Sequence, residues 1–323
     1  MNEYCDKITI AIPVYNRELF FEQALDSALL QTVKCKVIVV DNASDSNFFR
    51  ETCELKTVDY YRNEVNIGMF ANWNRCIELT KTEFVMILGD DDLLEPNFVE
   101  FFSKSLNNYP QLDVFYSNFY LLYDFTNKKK MISANKMFEK PFGYYDDGRI
   151  LLNYASRNGL GFPTISSVFR ISKFGYYYTE LHGSNDWLLF YSIFSNKCKI
   201  FGTPEKLVYY RKSVLADTNK PFTKSVMGLS HSYIYNEIID KYCDKELRLI
   251  TKTRALKSFL DFLVVSPKTL VNDIRNKRNI YSDYLNIKLK EDSIYRVFYY
   301  CPKIFLISTV YFMRILLKYL FKN

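Results

Sequence analysis

The sequence predicts an α/β fold, a mostly parallel sheet with helices on both faces, and three observations lead there. Short apolar runs alternate with stretches of helical periodicity up to about residue 112, which is the pattern of strands joined by crossover helices. Hydrophobic residues make up 48% of the 323-residue chain, enough to bury a sizeable core. Three of the apolar runs also end in polar clusters, "PVYNR" (13–17), "DNASD" (41–45) and "GDDD" (89–92). Parallel sheets bind their ligands beyond the carboxyl ends of their strands, so the three clusters together mark a candidate site.

The elements follow in chain order. "KITIAIPVY" (7–15) reads as a buried strand ended by a proline. In "RELFFEQALDSALLQ" (17–31), Phe21, Leu25, Ala28 and Leu29 fall on one helical face. "CKVIVVDNASD" (35–45) is a second strand and "TVDYYRN" (57–63) a third. "MFANWNRCIELT" (69–80) has helical spacing through Phe70, Trp73 and Ile77. "EFVMIL" (83–88) is a strand, and "PNFVEFFSKSL" (96–106) a helix with Pro96 in its first turn. Beyond residue 112 the pattern mixes. "LDVFYSNFYLLY" (112–123) and "SSVFR" (166–170) read as strands, "NDWLLFYSIFS" (185–195) as a helix, and "CKIFGTPEKLVYYR" (198–211) as two short strands around a proline turn. Residues 225–288 read as largely helical, divided at Pro267.

Charge separates the two ends of the chain. Residues 1–240 hold 26 Lys/Arg and 29 Asp/Glu, whereas residues 241–323 hold 17 and 7. In "IFLISTVYFM" (304–313) no residue is charged, and Arg314, Lys318 and Lys322 then recur at four-residue spacing, on one helical face. A spanning helix needs about 20 apolar residues, so this end reads instead as an amphipathic helix in the membrane interface, its basic side toward anionic headgroups. A terminal helix packed on the body of the protein is the plainer alternative. No nucleic-acid partner is expected, because the basic residues carry too much apolar and aromatic load. Seven scattered cysteines (5, 35, 53, 76, 198, 243, 301) include no C-x-x-C pair. With an N-terminus that enters a strand directly, they read as reduced thiols in a cytosolic setting.

The run Asp90, Asp91, Asp92 concentrates charge after a buried strand. Ionised together, three carboxylates repel unless a cation sits among them. A hard divalent ion such as Mg²⁺ or Mn²⁺ binds carboxylate oxygens and shares itself with substrate phosphates. It can then neutralise a departing diphosphate. The plain alternative is a solvated turn capping the helix that begins at 96. There is no Gly-rich phosphate loop, and His182 and His231 are the only histidines, too few for a zinc site of ordinary spacing. His182 reads as a loop histidine.

The ordered set "ITIAIPVYNR" (8–17), "VIVVDNASD" (37–45), "EVNIGMFANWN" (64–74), "ILGDDDLLEPN" (87–97), "FPTISSVFR" (162–170), "GSNDWLLF" (183–190) and "FGTPEKLVYYR" (201–211) resembles the GT-A-fold, family 2 glycosyltransferases of bacterial polysaccharide synthesis. The "GDDD" form resembles the O-antigen sugar transferases, abequosyltransferases among them. The resemblance covers about residues 6–212 and implies a Rossmann-like nucleotide-sugar-binding domain over 1–215, with a nucleotide half (1–112) and an acceptor half (113–215). Residues 216–323 would be a helical C-terminal region with the membrane-associating end.

The resemblance also implies roles. Pro13, Tyr15 and Asn16 would line the base and ribose pocket, Asp41 would accept a hydrogen bond from the base, and Asn66 and Gly68 would close the pocket. Asp91 and Asp92 would hold Mg²⁺ or Mn²⁺, with Asp90 at the donor. Asp186 would be the general base on the acceptor hydroxyl. Gly89 stands where the family often has an aspartate, so which of Asp90 to Asp92 touches the metal stays open. Ser213 stands where many relatives have a histidine, so either the metal has fewer protein ligands or Arg211 and Lys212 hold the diphosphate directly. The implied partners are a nucleotide-sugar donor, a lipid-linked saccharide acceptor and an anionic membrane surface, at the cytoplasmic face of a bacterial inner membrane. The rival readings are a nucleotidyltransferase of sugar-phosphate activation, which would want a Gly-rich phosphate loop, and a catalytically inert carbohydrate-binding relative.

Overall fold

The computed structural model describes residues 4–123, 130–133, 142–151, 164–173 and 197–212, together with positions 154, 175, 177, 189, 190, 193 and 194. All of these lie in one compact unit. The expected helix at 185–195 is described at only four positions, and the expected helical region and tail lie outside the described residues.

A ten-stranded sheet forms the centre. Its strands are β1 (Tyr4–Val14), β2 (Lys34–Asp41), β3 (Asp59–Arg62), β4 (Phe84–Ile87), β5 (Leu93–Leu94), β6 (Val114–Tyr123), β7 (Lys130–Ser133), β8 (Gly143–Tyr145), β9 (Ser167–Arg170) and β10 (Ile200–Lys212). The order is β3-β2-β1-β4-β9-β6-β10-β5, with β7 on β6 and β8 on β10. The first four strands pair in parallel. Antiparallel β9 then joins β4 to β6, and β10 runs parallel to β6. Six of the ten strands (β1, β2, β3, β4, β6 and β10) therefore point the same way.

Four helices are described, α1 (Phe21–Leu29), α2 (Phe48–Leu55), α3 (Met69–Leu79) and α4 (Phe98–Asn108). In α1 the buried set is Phe21, Ala24, Leu25 and Ala28, the stripe a 3.6-residue repeat places on one side. Side chains alternate across a strand, and this divides the core. Ile8, Ile10 and Ile12 share one cluster with Phe21 and Leu25 of α1, Phe49 of α2 and Phe98 and Phe102 of α4. Ala11, Ile38, Val40, Val85 and Ile87 are buried outside that cluster, on the face where α3 meets β1, β2 and β4. Edge-to-face rings fill the first core, with Phe21 and Phe49 at 4.9 Å and Phe84 and Phe102 at 5.1 Å.

Two differences from the sequence reading bear on the site. The segment read as two strands around a turn forms one continuous strand, β10 (Ile200–Lys212). Pro204 lacks a ladder donor, and the chain absorbs it by slipping register against β6 between Thr203 and Val208 without reversing. The helix α2, absent from the sequence reading, buries only Phe49, Thr52 and Cys53, so its apolar signal is faint and tertiary packing stabilises it.

Candidate functional site

The parallel strands β1, β2, β3 and β4 all end on one edge of the sheet, and their exit loops are tied together there. Asn42 N donates to Val14 O at 2.9 Å, Asn63 N to Asp41 O at 2.8 Å, and Leu88 N to Ala11 O at 3.0 Å. The three polar clusters of the sequence thus meet at one place.

Pro13 is buried at the end of β1, and Tyr15 and Asn16 are exposed just beyond it. Asn16 takes a positive φ of 50°. Its N–H donates to Ser44 Oγ at 3.0 Å, and its amide exchanges bonds of 2.8 Å with Asp45. The first exit loop is therefore pinned to the second. Asn66 Oδ1 accepts from Asn42 Nδ2 at 2.8 Å and from Gly68 N at 2.9 Å. Gly68, with φ of 87°, starts α3 in a conformation that side chains rarely adopt. Asn42 Oδ1 also accepts from Ile67 N and Asn63 Nδ2, and Asn63 reaches Asn72 Oδ1 at 2.9 Å. This asparagine network holds the third loop over the sheet edge. Asn42, Asn63 and Asn72 escaped the sequence reading, because an amide's partners are unknown until the loops are placed.

Asp41 is fully buried. Its Oδ1 accepts from the N–H and hydroxyl of Ser44 at 2.9 and 2.6 Å, and its Oδ2 from Tyr60 at 2.5 Å and Arg62 at 2.8 Å. Burial and the bond to Asp41 push the Tyr60 phenol up to about 12, so it stays a donor. Both oxygens of Asp41 are thus committed to the protein. The residue that carries this assembly toward solvent is Arg62, whose side chain is 44% exposed.

The acidic run lies between β4 and β5. Asp90, Asp91 and Asp92 are 5%, 8% and 3% exposed, which excludes a solvated turn. They do not cap the following helix either, since α4 begins after Asn97 with no side-chain cap. Arg17, from the loop after β1, faces the run. Its Nε donates to Asp90 Oδ2 at 3.2 Å and its Nη2 to Asp91 Oδ1 at 3.1 Å, while Nη1 stands 3.0 Å from Asp91 Oδ2. Nη2 also pairs with Asp90 Oδ1. Burial opposes the Arg17 charge, but the bond to Asp90 and the charges of Asp90, Asp91 and Asp92 hold its pKa above the ordinary value. Burial lifts the Asp90 carboxyl to about 6 against the pull of Arg17. Asp92 is also raised well above the ordinary range, by burial first and then by the charge of Asp91. The sequence signal for Arg17 was available: a buried acidic triplet needs a cation, and this arginine follows the neighbouring strand.

Arg211 is placed by the antiparallel pairing of β5 with β10. It is 1% exposed. Its backbone N–H donates to Asp92 Oδ1 at 2.9 Å, its Nε to Asp91 O at 2.7 Å and its Nη2 to Gln23 Oε1 at 2.9 Å. The guanidinium lies 3.9 Å from the Phe20 ring centroid. Burial and these contacts make it a brace for the acidic backbone rather than an open phosphate ligand. Lys212 is half-buried, its ammonium 4.0 Å from the Tyr210 ring centroid. Burial lowers its pKa, opposed by Asp92 and Asp91.

The corner fits a divalent ion in one specific respect. A Cβ added at Gly89 would stand 2.8 Å from Asp92 Oδ2 and 3.3 Å from Asp91 Oδ1. The two carboxylates therefore converge over the bare side of a glycine. Among the described residues no group of three or more His, Cys, Asp or Glu side chains is arranged to hold a metal. Two carboxylates suffice where substrate phosphates and water complete the shell, the usual Mg²⁺ arrangement. Asp186 and His182 lie outside the described residues.

A parallel half-sheet, a mixed half and an acidic corner at their junction define the GT-A class of fold. Residues 9–170 match Glycosyl transferase family 2, half of the chain, and the chain belongs to that family. Glycosyltransferase GlyA of Streptococcus pneumoniae serotype 4 is 29% identical over 226 residues, 65% of this chain and 30% of that protein. An uncharacterized glycosyltransferase of Rickettsia felis is 34% identical over 128 residues, 38% of this chain and 21% of its own length. The chain thus covers less than a third of either relative. Among solved structures, S. aureus TarS 1–349 in complex with UDP-GlcNAc superposes with a TM-score of 0.58 at 15% identity, covering 88% of this chain and 77% of that one. The mannosyltransferase PcManGT from Pyrobaculum calidifontis, in complex with GDP-Man and Mn²⁺, gives 0.55 at 13% identity, covering 98% and 88%. At these identities the likeness is one of fold.

Proposed function

We propose that the protein is an inverting glycosyltransferase that moves a sugar from a nucleotide-sugar donor to a hydroxyl of a lipid-linked saccharide during surface-polysaccharide synthesis, of the O-antigen kind. The observation that carries this reading is the convergence of Asp91 and Asp92 over Gly89 at the shared edge of the parallel strands. The nucleotide lies across the loops of Tyr15–Asn16, Asp41–Ser44 and Asn66–Gly68, and its diphosphate reaches the acidic corner. Asp91 and Asp92 hold Mg²⁺ or Mn²⁺, which when bound neutralises the charge developing on the departing diphosphate. Arg211 keeps the Asp91–Asp92 backbone in place. The carboxylate of Asp186 takes the proton of the acceptor hydroxyl as that oxygen bonds to the anomeric carbon and the bond to the diphosphate breaks. A single displacement from the opposite side inverts the anomeric configuration.

The finer parts of the reading have separate supports. Donors of the UDP and GDP kinds accompany the structures of similar fold. The membrane surface and the lipid-linked acceptor rest on the basic, aromatic end of the chain, residues 294–323. The test is a donor panel with Mn²⁺ and Mg²⁺, with the linkage of any product read by nuclear magnetic resonance. The expected product has inverted configuration. Asp91→Ala and Asp186→Asn should each lower turnover at least 100-fold, within the range general acid–base and electrostatic groups contribute, with Asp186→Asn still binding donor. A retained configuration, or full turnover in Asp186→Asn, would remove this mechanism.

A further inference from the structure

Part of the acidic corner is already neutralised by the chain itself. The guanidinium of Arg17 meets both oxygens of Asp90 and both oxygens of Asp91. Asp92 is held differently, by the backbone N–H of Arg211. A divalent ion arriving at Asp91 therefore meets a carboxylate whose two oxygens both face a cation. Arg17 itself sits at the mouth of the site. Its side chain is 29% exposed, and Tyr15 and Leu19 on either side of it are 44% and 64% exposed. The backbone beneath it is fixed at Asn16 through Ser44 and Asp45, so the side chain can change partners while the loop stays.

We propose that Arg17 is the resident counter-ion of the donor site and exchanges partners when the donor binds. Without donor it forks across Asp90 and Asp91. When a nucleoside diphosphate enters with its divalent ion, the ion takes Asp91 and Asp92, and the guanidinium turns to the diphosphate oxygens, a geometry it matches as well as it matches a carboxylate. Asp90 remains within its reach and keeps it near the site. The exchange makes metal and nucleotide bind cooperatively: either alone leaves a like-charge contact that the other relieves. The inference rests on the donor-site reading above and deepens it by assigning the chain's own cation a place in binding.

The experiment measures Mn²⁺ bound to the full chain, from the electron paramagnetic resonance signal of free Mn²⁺, alone and with UDP, GDP, CDP or dTDP. Wild-type protein should bind Mn²⁺ at least tenfold more tightly with its matching nucleotide than without, a coupling of ordinary size. Arg17→Gln should bind Mn²⁺ alone about tenfold more tightly than wild type, bind the nucleotide alone more weakly, and lose most of the coupling. Arg17→Lys, which keeps the charge and loses the fork, should fall between the two. If Arg17→Gln retains the wild-type circular dichroism and binds Mn²⁺ alone no more tightly, the exchange is refuted while the donor site stands. If Arg17→Gln does not fold, Arg17→Lys decides, and a Mn²⁺ affinity equal to wild type refutes the exchange. Wild-type protein that binds neither Mn²⁺ nor any nucleotide would overturn the donor-site reading and this inference together.

Discussion

Gly89 stands at the acidic corner where a side chain would collide with the carboxylates of Asp91 and Asp92. A methyl there would meet Asp92 Oδ2 at 2.8 Å and Asp91 Oδ1 at 3.3 Å, and neither carboxylate can retreat easily, because Arg17 and the Arg211 backbone hold them. Gly89→Ala should therefore splay the two aspartates, lowering kcat/KM about tenfold or more and weakening nucleotide-dependent Mn²⁺ binding, with a smaller effect on thermal unfolding. Steady-state kinetics and calorimetry separate the two effects. Asp90 gives a pH prediction. Its folded pKa is lifted by burial from 3.8 to about 6, so between those values the folded protein holds a proton that the unfolded chain has released. By linkage, stability then falls as pH rises through that window, by at most about 3 kcal/mol from this group. Metal-free wild type should lose stability between pH 4 and 6 relative to Asp90→Asn, as read by urea unfolding at each pH. Parallel pH profiles for the two proteins would contradict the assignment.

At the scale of elements, β10 connects the two halves of the site. It pairs with β6 on both sides of a register slip around Pro204, and beyond the slip Val208 and Tyr209 also pair with β5, which brings Arg211 to Asp91 and Asp92. Gly202 lies just before the slip. A Cβ there would stand 2.2 Å from Cζ of Tyr116, a ring buried in the adjoining strand. Overpacking of this kind costs about 1–3 kcal/mol. Gly202→Ala should destabilise by that order in denaturant unfolding and, by shifting β10, raise the KM for donor. The sequence made α1, α3 and α4 legible because each carries a continuous apolar stripe. It hid α2 and β5, because eight residues with three buried, or two residues alone, leave too little periodic signal. The proline that suggested a turn in β10 became a bulge because β6 offers a partner on both sides of it.

For the molecule as a whole, the charge asymmetry gives a further prediction. Residues 241–323 carry 17 Lys/Arg against 7 Asp/Glu, and anionic surfaces attract such segments at about 1 kcal/mol per basic residue. The full chain should sediment with vesicles rich in anionic lipid, be released by high salt and detergent together, and lose binding when residues 290–323 are removed. Full-chain protein that stays in the supernatant would remove the membrane from the scheme. Among the described residues, no helix is long and apolar enough to cross a bilayer.

By itself the sequence determined that the parallel strands end in polar clusters at one edge of the sheet, because apolar runs ending in polar residues encode both the strands and their exits. It also determined that Asp90, Asp91 and Asp92 stand together, since neighbours in sequence need no fold to meet. Only the tertiary structure decided what faces them. Arg17 lies 73 residues from Asp90 and Arg211 119 residues from Asp92, and only the pairing of β1 with β4 and of β5 with β10 brings them close. It decided likewise that Asp41 spends its oxygens on Ser44, Tyr60 and Arg62. Local pattern fixes where a strand ends, whereas the partners of a charged group are set by strand order and register, which no single stretch of sequence contains.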